Sequence, residues 1–280
     1  MTHDPSNPIL KQAIQDVITQ MMDRVMDNVL VRDPFLADIH RAKKPLYAAL
    51  VPDEIFKGSH FERRFVTPFG GVWEKLAVQV ATQGTGTAST QHRIDGFVPA
   101  ERLRRINETL NRLEHPRPGE VRIAPNWDGE LEYILDGGGE LVPVPVQCDV
   151  YCVNQQGRKW AFELKAPLPN SDQSKVSKEK LLKLHAMQPR LIDGAYFALP
   201  YNPYGERPLY AWTFPSRWFN MHNDSVVLMG EEFWDKIGGE GAYRSLIEAV
   251  NELGPAYRDR IYREFLGIEP PTGASEIELT

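Results

Sequence analysis

The chain has 280 residues, 42% hydrophobic and 25% charged, with a net charge of −6, enough for one large domain or two small ones around a substantial core. No apolar run approaches the roughly 20 residues that span a bilayer, and the start Met1-Thr2-His3-Asp4 lacks the basic-then-apolar layout of a secretory signal, so the expected compartment is the cytoplasm. The two cysteines, Cys148 and Cys152, lie four apart on an expected strand and are read as small core residues, which excludes a disulfide scaffold.

Residues 8–30 are expected to form one long helix, because Ile9, Leu10, Ile14, Val17, Ile18, Met21, Val25, Val29 and Leu30 recur at spacings of three and four. That stripe faces either a core or a second subunit. Asp33-Pro34 ends it, and 35–49 reads as a second helix bent near Pro45. Phe69-Gly70-Gly71 introduces a helix over 72–81, and the small polar run 82–90 reads as a loop. Pro99 suits a helix start, so 101–113 continues as a helix with several arginines. Residues 144–153 and 159–165 carry β signals, with Gln155-Gln156-Gly157 between them. A helical period returns over 175–187, and 196–199, 209–213 and 226–229 read as short strands. Three helices follow at 231–237, 242–253 and 256–266, set apart by Gly238-Gly239 and Gly254-Pro255. The Pro-, Gly- and Glu-rich end, 269–280, is expected to be disordered. The fold class is therefore α/β (α+β), a mixed central sheet flanked by helices, with helical extensions at both ends. The expected division is a helical segment over 1–65, able to contribute a dimer contact, a main domain over 66–268, and the tail.

The chemistry is concentrated between Gln147 and Lys165. Glu163-Leu164-Lys165 is the only acidic-x-Lys triplet in the chain. Side chains alternate across a strand, so Glu163 and Lys165 share one face, and Phe162 and Leu164 the other. On the preceding strand Val146, Cys148, Val150 and Cys152 would form an apolar face opposite Gln147, Asp149 and Tyr151. A three-residue loop, 155–157, with glycine in the left-handed position, pairs Asn154 with Arg158 and hence Asp149 with Glu163. A four-residue loop would send the two carboxylates to opposite faces, and the odd-length loop is the reading adopted. Two adjacent carboxylates repel unless a cation intervenes, and Mg²⁺ takes few carboxylates and keeps its waters. Two acids and an ammonium at one end of a sheet are what metal-dependent phosphodiester hydrolysis requires.

Asp149…Glu163-Leu164-Lys165 resembles the signature of the PD-(D/E)xK nuclease superfamily, with Cys148 in place of the frequent proline before the first acid. More specifically, Thr67-Pro-Phe-Gly-Gly-Val-Trp-Glu-Lys-Leu-Ala77, Phe162-Glu-Leu-Lys-Ala-Pro167, Tyr201-Asn-Pro-Tyr-Gly205 and Glu232-Phe-Trp-Asp-Lys-Ile-Gly-Gly239 resemble the TdeIII/MjaII-like group of Type II restriction endonucleases. The resemblance implies that 66–268 is a nuclease domain. Asp149 and Glu163 would be metal ligands, with the Leu164 carbonyl completing the shell. Lys165 would orient the attacking water or stabilise the pentavalent phosphorus, and Glu74 would be an auxiliary acid. It further implies a short palindromic, G·C-rich duplex site of the GGNCC type, a homodimer, and a companion DNA methyltransferase protecting the host.

The charge distribution allows such a partner. Residues 225–280 hold 11 acidic and 5 basic side chains, the whole deficit, whereas 158–190 hold 8 basic against 3 acidic. Lys175 and Lys178, three apart on a helix, are the expected phosphate contacts, with Asn170 adding a neutral one and Lys180 and Lys183 left to solvent. Base reading falls to Arg93 with His92, and to Arg207 with Asn202. His185 and His222 lack partners at metal-ligand spacing. The rival readings are a repair or structure-specific nuclease of the same fold and a non-catalytic DNA-binding protein.

Overall fold

The computed structural model describes residues 7–115 and 122–271, and the chain divides into two compact units, Met1–Leu76 with Arg244–Thr280, and Ala77–Tyr243. From 272 onward the tail expected to be disordered lies outside the described residues.

The first unit is helical. Asn7 caps α1 (Pro8–Asp27) by accepting from the Ile9 and Leu10 amides, and Pro8 at the first helical position needs no partner for its missing N–H. Leu10, Ile14, Met21, Met22, Val25 and Met26 are buried, so the stripe is largely a core face. A π-helical turn over Asn28–Arg32 follows, then the short α2 (Ala37–Lys43) and α3 (Pro45–Ala48), which begins at the proline expected to bend this segment. Helix α4 (Asp53–Gly84) runs 32 residues through Pro68, Gly70 and Gly71, where the sequence suggested a helix only after Gly71. A ladder of rings at i, i+4 spans this stretch: Phe61–Phe65, Phe65–Phe69 and Phe69–Trp73 have centroids 6.0, 5.0 and 5.2 Å apart. These three ring pairs offset only part of the local penalty of the breakers.

The expected break at Gly254-Pro255 is also absent, since α9 (Ala242–Arg260) continues through it into a π-helical turn, Ile261–Leu266. Within this unit α9 is tied to α1. Lys11 and Gln15 both reach Glu252 at 2.7 Å, and the Tyr257 hydroxyl meets Asp23 at 3.0 Å.

The second unit is built on one sheet with strand order β1-β2-β3-β4-β5: β1 (Gly86–Pro99), β2 (Leu141–Asn154), β3 (Lys159–Leu164), β4 (Gly194–Leu199) and β5 (Val227–Met229). The first three are antiparallel neighbours, and β3, β4 and β5 are parallel. This is the mixed sheet expected. The run 82–90 is not a loop: α4 extends to Gly84 and β1 starts at Gly86, an edge strand whose pairing with β2 supplies the order its small side chains do not. Gly86 packs so closely on β2 that a Cβ there would lie 2.0 Å from the Val153 carbonyl oxygen. Residues 209–213 form no strand; a 3₁₀ turn over Arg207–Leu209 precedes irregular chain.

Helices α5 (Ala100–Glu114), α6 (Trp127–Leu135) and α7 (Ser171–Ala186) pack on one another, and α7 lies against β4 and β2. Beneath them Ile106, Leu110, Trp127, Leu181, Leu184 and Phe197 form part of one core. On the other side of β3, the Phe162 ring meets Phe233 of α8 (Glu231–Gly238).

The β2–β3 register is the one the odd loop requires. Val150 opposes Phe162, Val153 opposes Lys159, the Asn154 amide donates to the Arg158 carbonyl, and Gly157 has φ +77°. The apolar face expected to run from Val146 to Cys152 does not stay on one side. Val146 and Cys148 join the core under α7, whereas Val150 sits across from Phe162. The change of side falls at Asp149, where the β1 residue between the pairs Thr90–Val150 and His92–Cys148 is Gln91, at φ +51°.

Candidate active site

Beyond the last regular β2–β3 pair, Asp149 and Glu163 converge on Lys165. The Lys165 ammonium lies 2.5 Å from Asp149 Oδ2 and 3.2 Å from Glu163 Oε2. Asp149 Oδ2 also accepts the Leu164 amide at 3.0 Å, and the Lys165 amide donates to Ala198 of β4, which anchors the end of β3. Glu163 is fully buried and Asp149 is 8% exposed, while the Lys165 side chain keeps 18% of its surface.

A second cation belongs to this cluster. Lys180 of α7 spans both oxygens of Glu163, at 2.9 and 3.1 Å, and the Ser177 hydroxyl donates to Oε2 at 3.4 Å. The sequence left Lys180 to solvent. The missed signal was helical spacing: Ser177 and Lys180 are three apart and share the face that α7 turns to the sheet.

Burial pushes the Glu163 carboxyl above its ordinary range, against the pull of Lys165 and, less strongly, Lys180. Burial works against the Lys165 ammonium too, but the Glu163 and Asp149 carboxylates outweigh it and hold its pKa above that of a free lysine. The Cys148 thiol, close enough to feel Glu163, is pushed up to about 12, mainly by burial. It is inert as a nucleophile.

The donor chemistry fits a hard divalent cation: two carboxylates turn their oxygens toward one positive charge, which here is the Lys165 ammonium. Among the described residues there is no group of three or more His, Cys, Asp and Glu that could hold a metal.

The chain from β3 to α7 is pinned from outside. Tyr210 donates to the Pro167 carbonyl at 3.0 Å, and the Trp212 and Trp218 indoles donate to Pro169 and Ser171 at 2.8 and 3.1 Å. Asn170 forms the N-terminal capping box of α7 with Gln173 and remains exposed.

The expected DNA contacts fare unequally. Lys178 is fully buried, paired with Glu130 and donating to the Trp218 carbonyl at 2.5 Å. A side chain with no exposed surface cannot reach a phosphate, so Lys178 is corrected to a core ion pair. Lys175 is partly exposed and paired with Glu114 at 2.5 Å. Arg93 is exposed and held by Asp95 at 2.8 Å, while His92 stacks on Tyr151 with centroids 4.1 Å apart. Arg207 is partly exposed, with its guanidinium bonded to Glu232 and to the Met221 and Val227 carbonyls. Asn202 Oδ1 accepts the Tyr204 amide at 3.0 Å in its turn. His185 and His222 meet backbone groups of Ala195 and Tyr210, as structural histidines do. Glu74 is half-buried on the part of α4 that belongs to the first unit.

The family model described as Type II restriction endonuclease, HinfI, matches residues 10–254. The Type II restriction enzyme HgiCII of Herpetosiphon aurantiacus is 25% identical over 273 residues, covering 93% of this chain and 99% of that enzyme. From the same organism, the Type II restriction enzymes HgiEI and HgiBI are 25% and 24% identical over 275 residues, each covering 93% of this chain and 98% of the relative.

Proposed function

The chain belongs to the HinfI family of Type II restriction endonucleases, and from that premise we propose that Asp149, Glu163 and Lys165 cut the phosphodiester bond, in the manner of the PD-(D/E)xK superfamily. The observation that carries this reading is the meeting of two sequestered carboxylates at the ammonium of a lysine whose side chain keeps part of its surface in solvent. Asp149 and Glu163, with the Leu164 carbonyl, would hold Mg²⁺, which when bound polarises the phosphate. Lys165, kept charged between two acids, donates hydrogen bonds to the phosphoryl oxygens as negative charge builds on them. The Leu164 amide and the Ala198 carbonyl fix the strand end, so the acid and the ammonium are oriented before DNA arrives. Glu74 is the proposed auxiliary acid.

Lys175, Asn170, Arg93, and Arg207 with Asn202 are the proposed DNA contacts; Lys175, Arg93 and Arg207 would trade Glu114, Asp95 and Glu232 for phosphate and base. The proposed substrate is a short palindrome of the GGNCC type, cut in the cytoplasm by a homodimer whose twofold axis matches that of the site. A companion methyltransferase goes with this reading, as does a finer kinship to the TdeIII/MjaII-like group on the stretches quoted above. No helix among the described residues is long and apolar enough to cross a membrane.

Digesting phage DNA with the purified protein, with and without Mg²⁺, and sequencing the ends tests the proposal. Discrete fragments sharing one G·C-rich palindrome, formed only with the metal, are expected. Unspecific degradation, or equal cutting in a chelator, overturns it.

A further inference from the structure

Glu163 is unusual among the ionic groups of the sheet because it is fully buried and meets two ammonium groups from two different elements. Lys165 reaches it along β3. Lys180 reaches it from α7 and bridges both oxygens, at 2.9 and 3.1 Å, with Ser177 one helical turn earlier on the same carboxylate. Asp149, Glu163 and Lys165 alone would carry one net negative charge in a largely water-free setting. With Lys180 the cluster is two acids and two cations, balanced without any added ion.

We propose that Lys180 is a built-in counter-ion: it occupies Glu163 in the metal-free enzyme and so sets how tightly the site takes a divalent cation. The inference rests on reading Asp149 and Glu163 as the metal-binding pair. A cation that binds Glu163 must share oxygens already held by an ammonium and must approach a like charge, so Lys180 opposes metal binding. In its absence Lys180 keeps the buried carboxylate compensated. Lys180 is therefore a positioning residue that acts through Glu163. Its side chain retains 28% of its surface, which leaves the ammonium a path outward when Glu163 takes another partner. A restriction enzyme built this way keeps its folded, metal-free form stable and takes up metal only where the ion is plentiful or a DNA phosphate supplies a further ligand.

Thermal unfolding of the full chain without DNA, across a Mg²⁺ titration, reads this directly. Lys180→Met should unfold at lower temperature than wild type in a chelator, and gain more from Mg²⁺. Its apparent Mg²⁺ affinity should be tighter by about 10-fold or more, the size of effect that groups beside metal ligands commonly have. The Mg²⁺ concentration for half-maximal cleavage should fall in parallel. Lys180→Arg should behave like wild type, and Lys180→Gln covers the case in which the methionine variant does not fold. Equal or weaker Mg²⁺ affinity in Lys180→Met and Lys180→Gln, while Asp149→Asn still removes the Mg²⁺ response, overturns the counter-ion role and leaves the metal reading standing. No Mg²⁺ response in any protein, wild type included, overturns both.

Discussion

Lys178 and Lys180 stand two positions apart on α7 and each meets a glutamate, the first the partly buried Glu130 and the second the fully buried Glu163, yet they belong to different kinds of cluster. Lys178 is sealed: it has no exposed surface, pairs with Glu130, donates to the Trp218 carbonyl and lies over the Phe219 ring at 5.1 Å. Burial drives its pKa down and drives that of Glu130 up, each against the attraction of the other. Lys180 shares Glu163 with Lys165, and both lysines keep part of their surface in water. The closed pair holds α6 and α7 together. The open cluster has somewhere to put a substrate. The degree of enclosure, more than the residue types, separates the ion pair that supports the fold from the one fit for chemistry.

The largest effect should come from the open cluster. Lys165→Ala or Asp149→Ala is expected to cut the cleavage rate by about 10²–10³-fold or more, with the folded fraction unchanged by circular dichroism and duplex binding retained at least by Lys165→Ala. Wild-type rates from the lysine variant would break the comparison at once. Next comes the closed pair. Lys178→Met strands Glu130 and should cost about 3–5 kcal/mol of stability in urea unfolding, while cleavage per folded molecule changes little. A double change with Glu130→Gln should recover part of the loss. Lost turnover without lost stability would mean the closed pair reaches the chemistry after all.

A third, solvent-exposed cluster gives the smallest effect. Hydrogen bonds from Arg104 and then Arg105 pull the Glu101 carboxyl down from 4.5 to about 2. Its contribution is therefore present above the ordinary carboxylate range and is lost as pH falls through about 2. Glu101→Gln should remove that slice of the acid profile, and salt should shrink the difference between the two proteins. A difference that persists in high salt would show that exposure was the wrong criterion.

The β2–β3 register was legible because its information is local, a glycine-bearing turn between two strands. The change of side at Asp149 was not, because Gln91 of β1, which it accompanies, lies far off in sequence. Lys180 and Lys178 were not, because their partners, Glu163 and Glu130, lie 17 and 48 positions away in sequence. Helical spacing marks Lys175 and Lys178 as neighbours but says nothing of whether they look outward, and here only Lys175 keeps exposed surface. Breakers misled at Phe69-Gly70-Gly71, inside the aromatic ladder of α4, and at Gly254-Pro255 inside α9. The strand at 86–90 was hidden because its residues are too small and polar to show alternation, and the order comes from β2. Helix α6 escaped notice as well, although Asn126 caps it by accepting from the Gly129 amide. Its nine residues are too few for a period of 3.6 to stand out.

The tight turn at 155–157 limits how this gene can drift. A slip of one residue between β2 and β3 would leave a well-formed hairpin with Asp149 and Lys165 on opposite surfaces. Drift is most constrained at Gly157, whose φ of +77° other residues adopt only under strain.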